Sequence, residues 1–588
     1  MKFKTSLLGG AAVASVLLIG VGSAAEAKTV KRHHVAKHAE HVEKVNETAA
    51  LRSEVSELRA QVDALKAWRD SQAANQAQSE AQLAQVKQQL ADAQVQAQAA
   101  QAKVDAQIQT IPGVVHHEVL AAAPKDDAVH FGVDPDTGKS ALSLSLAGSF
   151  LEFATIYRNH QEGADISSTF SGIPFGNVVT SHLKETRFTA RQSRLAILAQ
   201  GEVPRYGLHL TGYYEMDFQG AAQNANSNES NSYNPRIRNI YAAVDWDRSF
   251  GGLSLLAGQN WSLATLNNKG ITPRNEQVPL TIDAQYVPGF NWTRQPQVRL
   301  TANLNKQLWF AVSVENPQTT FYSSGKFLPA VSPVPTVTIP GGSGFNAANV
   351  LSLNDVPDVI GKVAYDNPVM GHTLHLEAFG IYRDFYDRLN YAGAPYNGHV
   401  AGGGFGGGII LGVIPKMLDV QFSGLAGRGI GRYGSGQLPD VSFGVDGQIH
   451  PVQEYEILAG GVFHYGKALD VYAYAGEERQ NPQNYSGLNG TSIVYNGYGN
   501  PNYNNLGCET EGSTVCVGNT HYIDQITAGF WDRPVALRFG KFQWGIQYSY
   551  TERHAFYGNG GMASPLAGNP APIARESMVF TSIRYYPF

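Results

Sequence analysis

The sequence predicts an all-β transmembrane barrel preceded by an α-helical coiled coil. Three observations predict it. A secretory leader opens the chain, a heptad repeat follows over residues 51–111, and from Ser140 onward apolar and polar residues alternate with period two. The composition agrees. Charged residues are 16%, against about 25% in ordinary soluble proteins; aromatics are 10% and Gly is 62 of 588 residues. A mean hydropathy of −0.22 excludes a bundle of membrane helices. A disordered chain would carry fewer aromatics. The small net charge of −5 argues against a nucleic-acid partner.

Residues 1–27 read as a signal peptide. Lys2 and Lys4 make the charged start, Leu7 to Val21 the apolar stretch, and Ala25-Glu26-Ala27 the small-residue cleavage site. The apolar stretch is shorter than the roughly 20 residues a spanning helix needs. No later segment has 18 uninterrupted apolar residues. The exported chain therefore crosses a membrane as a barrel or not at all. Residues 28–50 form a basic tail with His33, His34, His38 and His41. Metal binding and contact with anionic cell-wall polymer (peptidoglycan) are both open to it. A solvated tail is the plainer reading, because no Cys or carboxylate cluster completes a metal site.

The coiled coil occupies residues 51–111. Val55, Val62, Leu83, Leu90, Val104 and Ile111 fall at a positions, and Leu51, Leu58, Leu65 and Val86 at d positions of one unbroken register. Arg69, Gln72, Gln76 and Ser79 make its middle polar. Ala and Gln supply 25 of the 39 residues from Ser71 to Gln109, which favours helix without building a core. At 1.5 Å per residue the rod is about 90 Å long. A single helix cannot hide such a seam, so self-association is expected, with dimer and trimer both open. Pro112-Gly113 ends the helix and residues 112–139 read as a linker.

The barrel spans residues 140–588. Leu208, Leu210, Gly212, Tyr214, Met216 and Phe218 share one face; His209, Thr211, Tyr213, Glu215 and Asp217 share the other. Similar runs of about ten residues lie near Leu142, Trp309 and Leu374, at Val441 to Gln448, Tyr455 to His464 and Ala536 to Thr551, and from Met578 to the end. A soluble sandwich rarely sustains this over such a length without a domain break. From Ser140 onward there are 21 Arg and only 8 Lys. Arg is the planar donor that grips carboxylates two-pronged, so the bias suggests a functional lumen. The chain ends on Phe588 with Tyr586 before it, which reads as the terminal aromatic signal of outer-membrane assembly, although Pro587 is unusual there and a chance aromatic end is the alternative. Cys508 and Cys516 are the two cysteines and sit in a Gly/Asn-rich loop, Gly487 to Thr520, where an exported protein would join them. No cofactor is expected.

The order of these segments resembles the DcaP-like outer-membrane porins over nearly the whole chain. The local matches are Ala190-Arg191-Gln192-Ser193-Arg194-Leu195, Arg236-Ile237-Arg238-Asn239-Ile240-Tyr241, Ala257-Gly258-Gln259-Asn260-Trp261-Ser262, Arg294-Gln295-Pro296-Gln297-Val298-Arg299 and Val314-Glu315-Asn316-Pro317. The resemblance implies a homotrimer in outer-membrane lipid, with about 16 antiparallel strands, passing small anionic solutes such as dicarboxylates. It also implies an inward-pointing Arg194 and a loop folded into the pore over about Ser262 to Trp292. That loop holds Lys269, Arg274, Glu276 and Asp283. Opposed charges across a narrow lumen sort charged solutes.

Arg194 and Arg238 are the strongest lumen candidates. Arg187 and Arg191 have the opposite parity to Arg194, so either a bulge intervenes or they line a rim or subunit contact. Arg236 shares the parity of Arg238 but lies near the strand end. Arg274, Arg294 and Arg299 fall in or near the inward loop. From Ser140 onward the net charge is −4, so anion preference has to come from local placement. An enzyme is not expected: no Gly-x-Ser-x-Gly occurs and no Ser–His pair stands out. A sugar-selective porin and a tether between outer membrane and cell wall are the alternatives.

Overall fold

The fold is described from a computed structural model. It describes residues 129–133 and 140–587, apart from 163–165, 221–230, 232, 250, 323–335, 339–351, 392–393, 445–446, 490, 538–539 and 559–570, together with Arg59, Val62, Asp63, Lys66 and Gln88. The chain divides into two compact units, Met1–Ala123 and Pro124–Phe588. In the first, the five described residues are helical, and Lys66 lies 3.7 Å from Asp63. The leader, the basic tail, most of the heptad seam and Phe588 lie outside the described residues.

The second unit is built of strands. They are β1 (Val129–Val133), β2 (Ser140–Ser145), β3 (Leu151–Arg158), β4 (Glu185–Thr189), β5 (Leu195–Val203), β6 (Leu208–Asp217), β7 (Arg236–Arg248) and β8 (Gly251–Trp261). Next come β9 (Arg294–Leu304), β10 (Leu308–Glu315), β11 (Thr336–Thr338), β12 (Asp358–Asp366), β13 (Leu374–Tyr391), β14 (Ala394–Ile414), β15 (Leu418–Arg428), β16 (Val441–Phe443) and β17 (Ile449–Pro451). The last are β18 (Gln453–Tyr465), β19 (Leu469–Gln480), β20 (Gln483–Asn489), β21 (Ser492–Tyr498), β22 (Thr520–Leu537), β23 (Gly540–Ala555) and β24 (Ile573–Tyr586).

Twenty strands form one sheet, and β16 with β17 and β20 with β21 form two small hairpins. The large sheet is antiparallel throughout its described pairs. Neighbours in the chain pair in turn from β5 to β10 and on through β12, β13, β14, β15, β18, β19, β22, β23 and β24. β24 then pairs with β3, β3 with β4, and β2 with β5. Between these last two pairs Phe150 and Arg194 exchange backbone hydrogen bonds of 3.0 and 2.8 Å. The chain between β4 and β5 leaves the strand at Ala190–Ser193, which accounts for the opposed parities of Arg187, Arg191 and Arg194.

The two faces invert the soluble pattern. Val298, Leu300, Phe310, Val312, Phe422, Ile526, Val579 and Ile583 are exposed. The residues between them, Arg299, Thr301, Ser313, Gln421, Gln525 and Ser582, are buried. An apolar outside and a polar inside, alternating residue by residue, mark a β-barrel wall. No helix among the described residues is long and apolar enough to cross a membrane, which says nothing against strands.

Connections are short at one end of the sheet, as at residues 305–307 between β9 and β10 and 415–417 between β14 and β15. They are long at the other: 159–184, 218–235, 262–293, 316–357, 429–452 and 481–519. β13 and β14 are the exception. They pair from Leu374↔Leu411 up to Tyr391↔Ala394 and form the tallest hairpin of the sheet.

Two expectations change. The run Val441 to Gln448 is not a wall strand: β16 and β17 form a hairpin inside the 429–452 loop, and Val441, Ser442 and Phe443 are all buried. Burial on both sides replaces the one-sided burial that alternation implies. Residues 112–139, read as linker, contain β1, where Val129, Phe131 and Val133 alternate with His130 and Gly132 and pair with β2.

Candidate pore constriction

The loop between β8 and β9, residues 262–293, lies against the inner wall. Carboxylates on the wall accept its backbone N–H groups: Glu315 from Leu263 (2.8 Å), Glu377 from Asn267 (3.1 Å), Asp366 from Gly270 (2.8 Å) and Glu478 from Gly289 (2.7 Å). On β12, Lys362 donates to the Thr265 carbonyl and to Glu377, both at 2.6 Å. Further along, the Ile282 amide donates to Gln547, and Trp531 donates to the Leu280 carbonyl at 2.7 Å. Trp261, Tyr286, Phe290 and Trp292 stack on one another at ring distances of 5.1–6.5 Å. Gly289 passes so close to β18 that a Cβ would stand 1.9 Å from the Ile457 carbonyl, and its φ of 85° is in the left-handed region.

This loop divides the space left in the lumen. A cavity of about 440 Å³ lies between loop residues 278–286 and strands at both ends of the sheet. Its charged lining is five basic side chains, Arg194, Arg238, Arg533, Lys541 and Arg584, and two acidic ones, Asp217 and Asp283. A second cavity of about 800 Å³ is lined by Lys269, Glu276, Lys306, Asp366, His375, Asp419 and His464 among others. Val278 and Leu280 line both.

The basic side chains of the smaller cavity are unequally engaged. Arg238 is buried and donates to Glu215 (2.5 Å), Asp217 (2.9 Å) and the Tyr286 hydroxyl (3.5 Å). Arg584 donates to Glu152 at 2.9 Å and stacks over Trp531. Arg533 donates to Asp470 at 2.5 Å. Arg194 lies 3.7 Å from Glu215 and over the Phe150 ring, and its Nε has no hydrogen-bond partner among the described residues. Lys541 lies over the Tyr586 ring at 4.9 Å.

On the loop side, burial pushes the Asp283 and Glu276 carboxyls up to about 7. Burial would raise the Tyr286 hydroxyl as well, but the guanidiniums of Arg238, Arg294 and Arg194 outweigh it and hold it below its usual value.

The other sequence-predicted residues serve the walls of the site. Arg187 pairs with Glu185 at 2.6 Å. Arg191 donates to the carbonyls of Phe218 and Gly220 and so holds the base of the 218–235 loop. Arg236 forms a two-pronged bond to Asp217 (3.0 and 2.6 Å). Arg274, at φ 66°, turns over the Tyr213 ring. Arg294 lies between Trp261 and Trp292, 5.0 Å from each ring. Arg299 is buried against Gln297 and the Trp261 carbonyl. Lys269 and Glu276 reach the larger cavity. Cys508 and Cys516 are joined in a disulfide. Sequence reasoning missed Arg533, Lys541 and Arg584. The parity of β24, with Val579, Ile583 and Tyr585 on the opposite face, is the signal that finds Arg584.

No protein-family model matches the chain, and no curated protein matches its sequence. Solved structures do. The outer membrane channel DcaP of Acinetobacter baumannii superposes with a TM-score of 0.50 at 16% identity, over 78% of this chain and 99% of that one. The anion-selective porin of Comamonas acidovorans gives 0.38 at 11% identity, over 76% and 99%. OprB of Pseudomonas putida gives 0.39 at 9% identity, over 74% and 93%. With its inverted faces, its last strand paired back to the first part of the sheet and its inward loop, the chain has the fold of the outer-membrane channel DcaP.

Proposed function

We propose that the protein is a porin of the outer membrane that passes small hydrophilic solutes and favours anions, dicarboxylates among them. The reading takes the sheet as a closed barrel. If β2 with β3, and β4 with β5, count as single interrupted strands, the pairings run around a ring of sixteen. The observation that carries anion preference is the smaller cavity, where five basic side chains face two acidic ones although the barrel as a whole is acidic. A chain of net negative charge gains an anion path only by such local placement. The protein acts as a passive channel, not an enzyme, and works as a homotrimer. Its leader is removed on export and its coiled coil stands in the periplasm.

The reversal potential in asymmetric potassium chloride tests this. Anion preference is expected, weakened by Arg194→Ala. Cation preference indifferent to that change overturns the proposal. A sugar porin would offer its aromatics to the solute, whereas Trp261 and Tyr286 are 7% and 6% exposed.

A further inference from the structure

Arg158, the last residue of β3, is fully buried. Around it stand carboxyl groups from four separate segments. Glu185 of β4 lies 3.1 Å from its NH1, Glu162 of the 159–184 loop 3.8 Å from the same atom, and Glu576 of β24 3.7 Å from its Nε. Asp283 of the inward loop completes the group, within the electrostatic reach of Arg158, Glu162 and Glu576. Glu185 alone has a second cation, Arg187 at 2.6 Å. Both oxygens of Glu576, Glu162 Oε1 and Asp283 Oδ2 are buried without a hydrogen-bond partner among the described residues. Ile156, Ile166, Ile282 and Met578, each 0% exposed, belong to the apolar cluster beside these groups, and Asp283 borders the smaller cavity.

Four carboxyls against two guanidiniums leave two negative charges uncompensated if all ionise. Burial disfavours that and favours taking up protons instead. A metal ion is the poorer remedy. Asp524, Glu552 and His554 are the residues whose ligand atoms converge at metal spacing among those described, and they lie elsewhere.

We propose that this cluster is a pH-operated clasp between the 159–184 loop and the inward loop, closed while its carboxyls are protonated and prised apart when they ionise. Two of the four carboxyls sit on the loops, so ionisation repels loop from loop and both from Glu576 on the wall. The inward loop narrows the lumen, so its release widens the pore. Burial holds the Glu162 and Asp283 carboxyls at about 7. Released into water they return to the ordinary range near about 4. Between those values the closed clasp binds up to two more protons than the open one. Acid therefore favours closure, and the preference is lost as pH rises through about 7. Within the window two protons change the closed-to-open ratio by up to about 100-fold per pH unit.

The test is single-channel recording of the full chain in planar bilayers from about pH 4.5 to about pH 8.5. Conductance is expected to be low in acid and to rise with pH. Asp283→Asn should reduce the slope towards that of one proton, and Glu162→Gln with Asp283→Asn should flatten it. Only folded, inserted barrels give such records. If the double variant inserts poorly, Asp283→Asn alone decides: an unchanged slope refutes the clasp. The inference rests on the lumen being a conducting pore. Insertion without conductance at any pH overturns that reading and the clasp together; conductance indifferent to pH overturns the clasp alone.

Discussion

Arg194 and Arg238 share one carboxylate oxygen, Glu215 Oε1, at 3.7 Å and 2.5 Å. Arg238 is buried and held by Glu215 and Asp217, whereas Arg194 is 28% exposed and makes the longer contact, so of the two Arg194 is the guanidinium more open to the cavity.

Arg194→Ala and Glu215→Gln should therefore move selectivity in opposite directions. One charge in a partly wet lumen is worth up to about 1 kcal/mol, or roughly a 2- to 5-fold change in the anion-to-cation permeability ratio. Arg194→Ala lowers the ratio and Glu215→Gln raises it. Reversal potentials read both.

Gly289→Ala should loosen the inward loop. The new Cβ meets the Ile457 carbonyl at 1.9 Å and the residue keeps a positive φ, so the loop has to shift. The strain is of order 1–3 kcal/mol. Higher single-channel conductance and faster protease cleavage within 262–293 are expected; wild-type values for both refute the anchor.

Lys362→Met should destabilise the barrel more than Lys362→Met with Glu377→Gln. The pair lies at 2.6 Å with both side chains fully buried. Removing Lys362 takes the cation from Glu377 Oε1, while Oε2 keeps Asn267 and His375, so the cost is at the low end of that for a broken buried pair, about 3 kcal/mol, and the double change removes both charges. The midpoint of urea unfolding of the purified barrel measures the difference.

Reducing Cys508–Cys516 should leave selectivity unchanged. The bond closes a loop with a separation of 8 residues, worth about 2.5 kcal/mol of local chain entropy. Cleavage within 499–519 should accelerate on reduction, with the permeability ratio unaltered.

Much of the wall was legible because period two carries one fact, which face a residue shares with its neighbours. It placed Leu208 to Asp217 on their two faces, while the inward aim of Arg194 came from the family resemblance and not from periodicity. It could not say how loops pack. Arg274 and Arg294 lie in or beside the inward loop as expected, yet they turn onto Tyr213 and onto Trp261 and Trp292, because cation–ring contacts depend on a folded path that no periodicity encodes. Val441 to Phe443 misled for the same reason: residues buried inside a lumen loop imitate a strand. The height of β14 was hidden by Gly402 to Gly404 and Gly406 to Gly408, which carry no side chains to alternate.

The β13–β14 hairpin has 18 and 21 residues in its two arms. At about 3.3 Å per residue the shorter arm is about 60 Å long, and a barrel tilt near 45° still leaves about 40 Å of height. The apolar belt of such a wall is about 25 Å tall. The last described pair, Tyr391 with Ala394, thus stands well clear of the belt on a stiff mast of paired backbone. It is a natural handle: an epitope spliced there would be displayed to the outside without touching the lumen, and whole cells could be counted for correctly assembled protein by antibody alone.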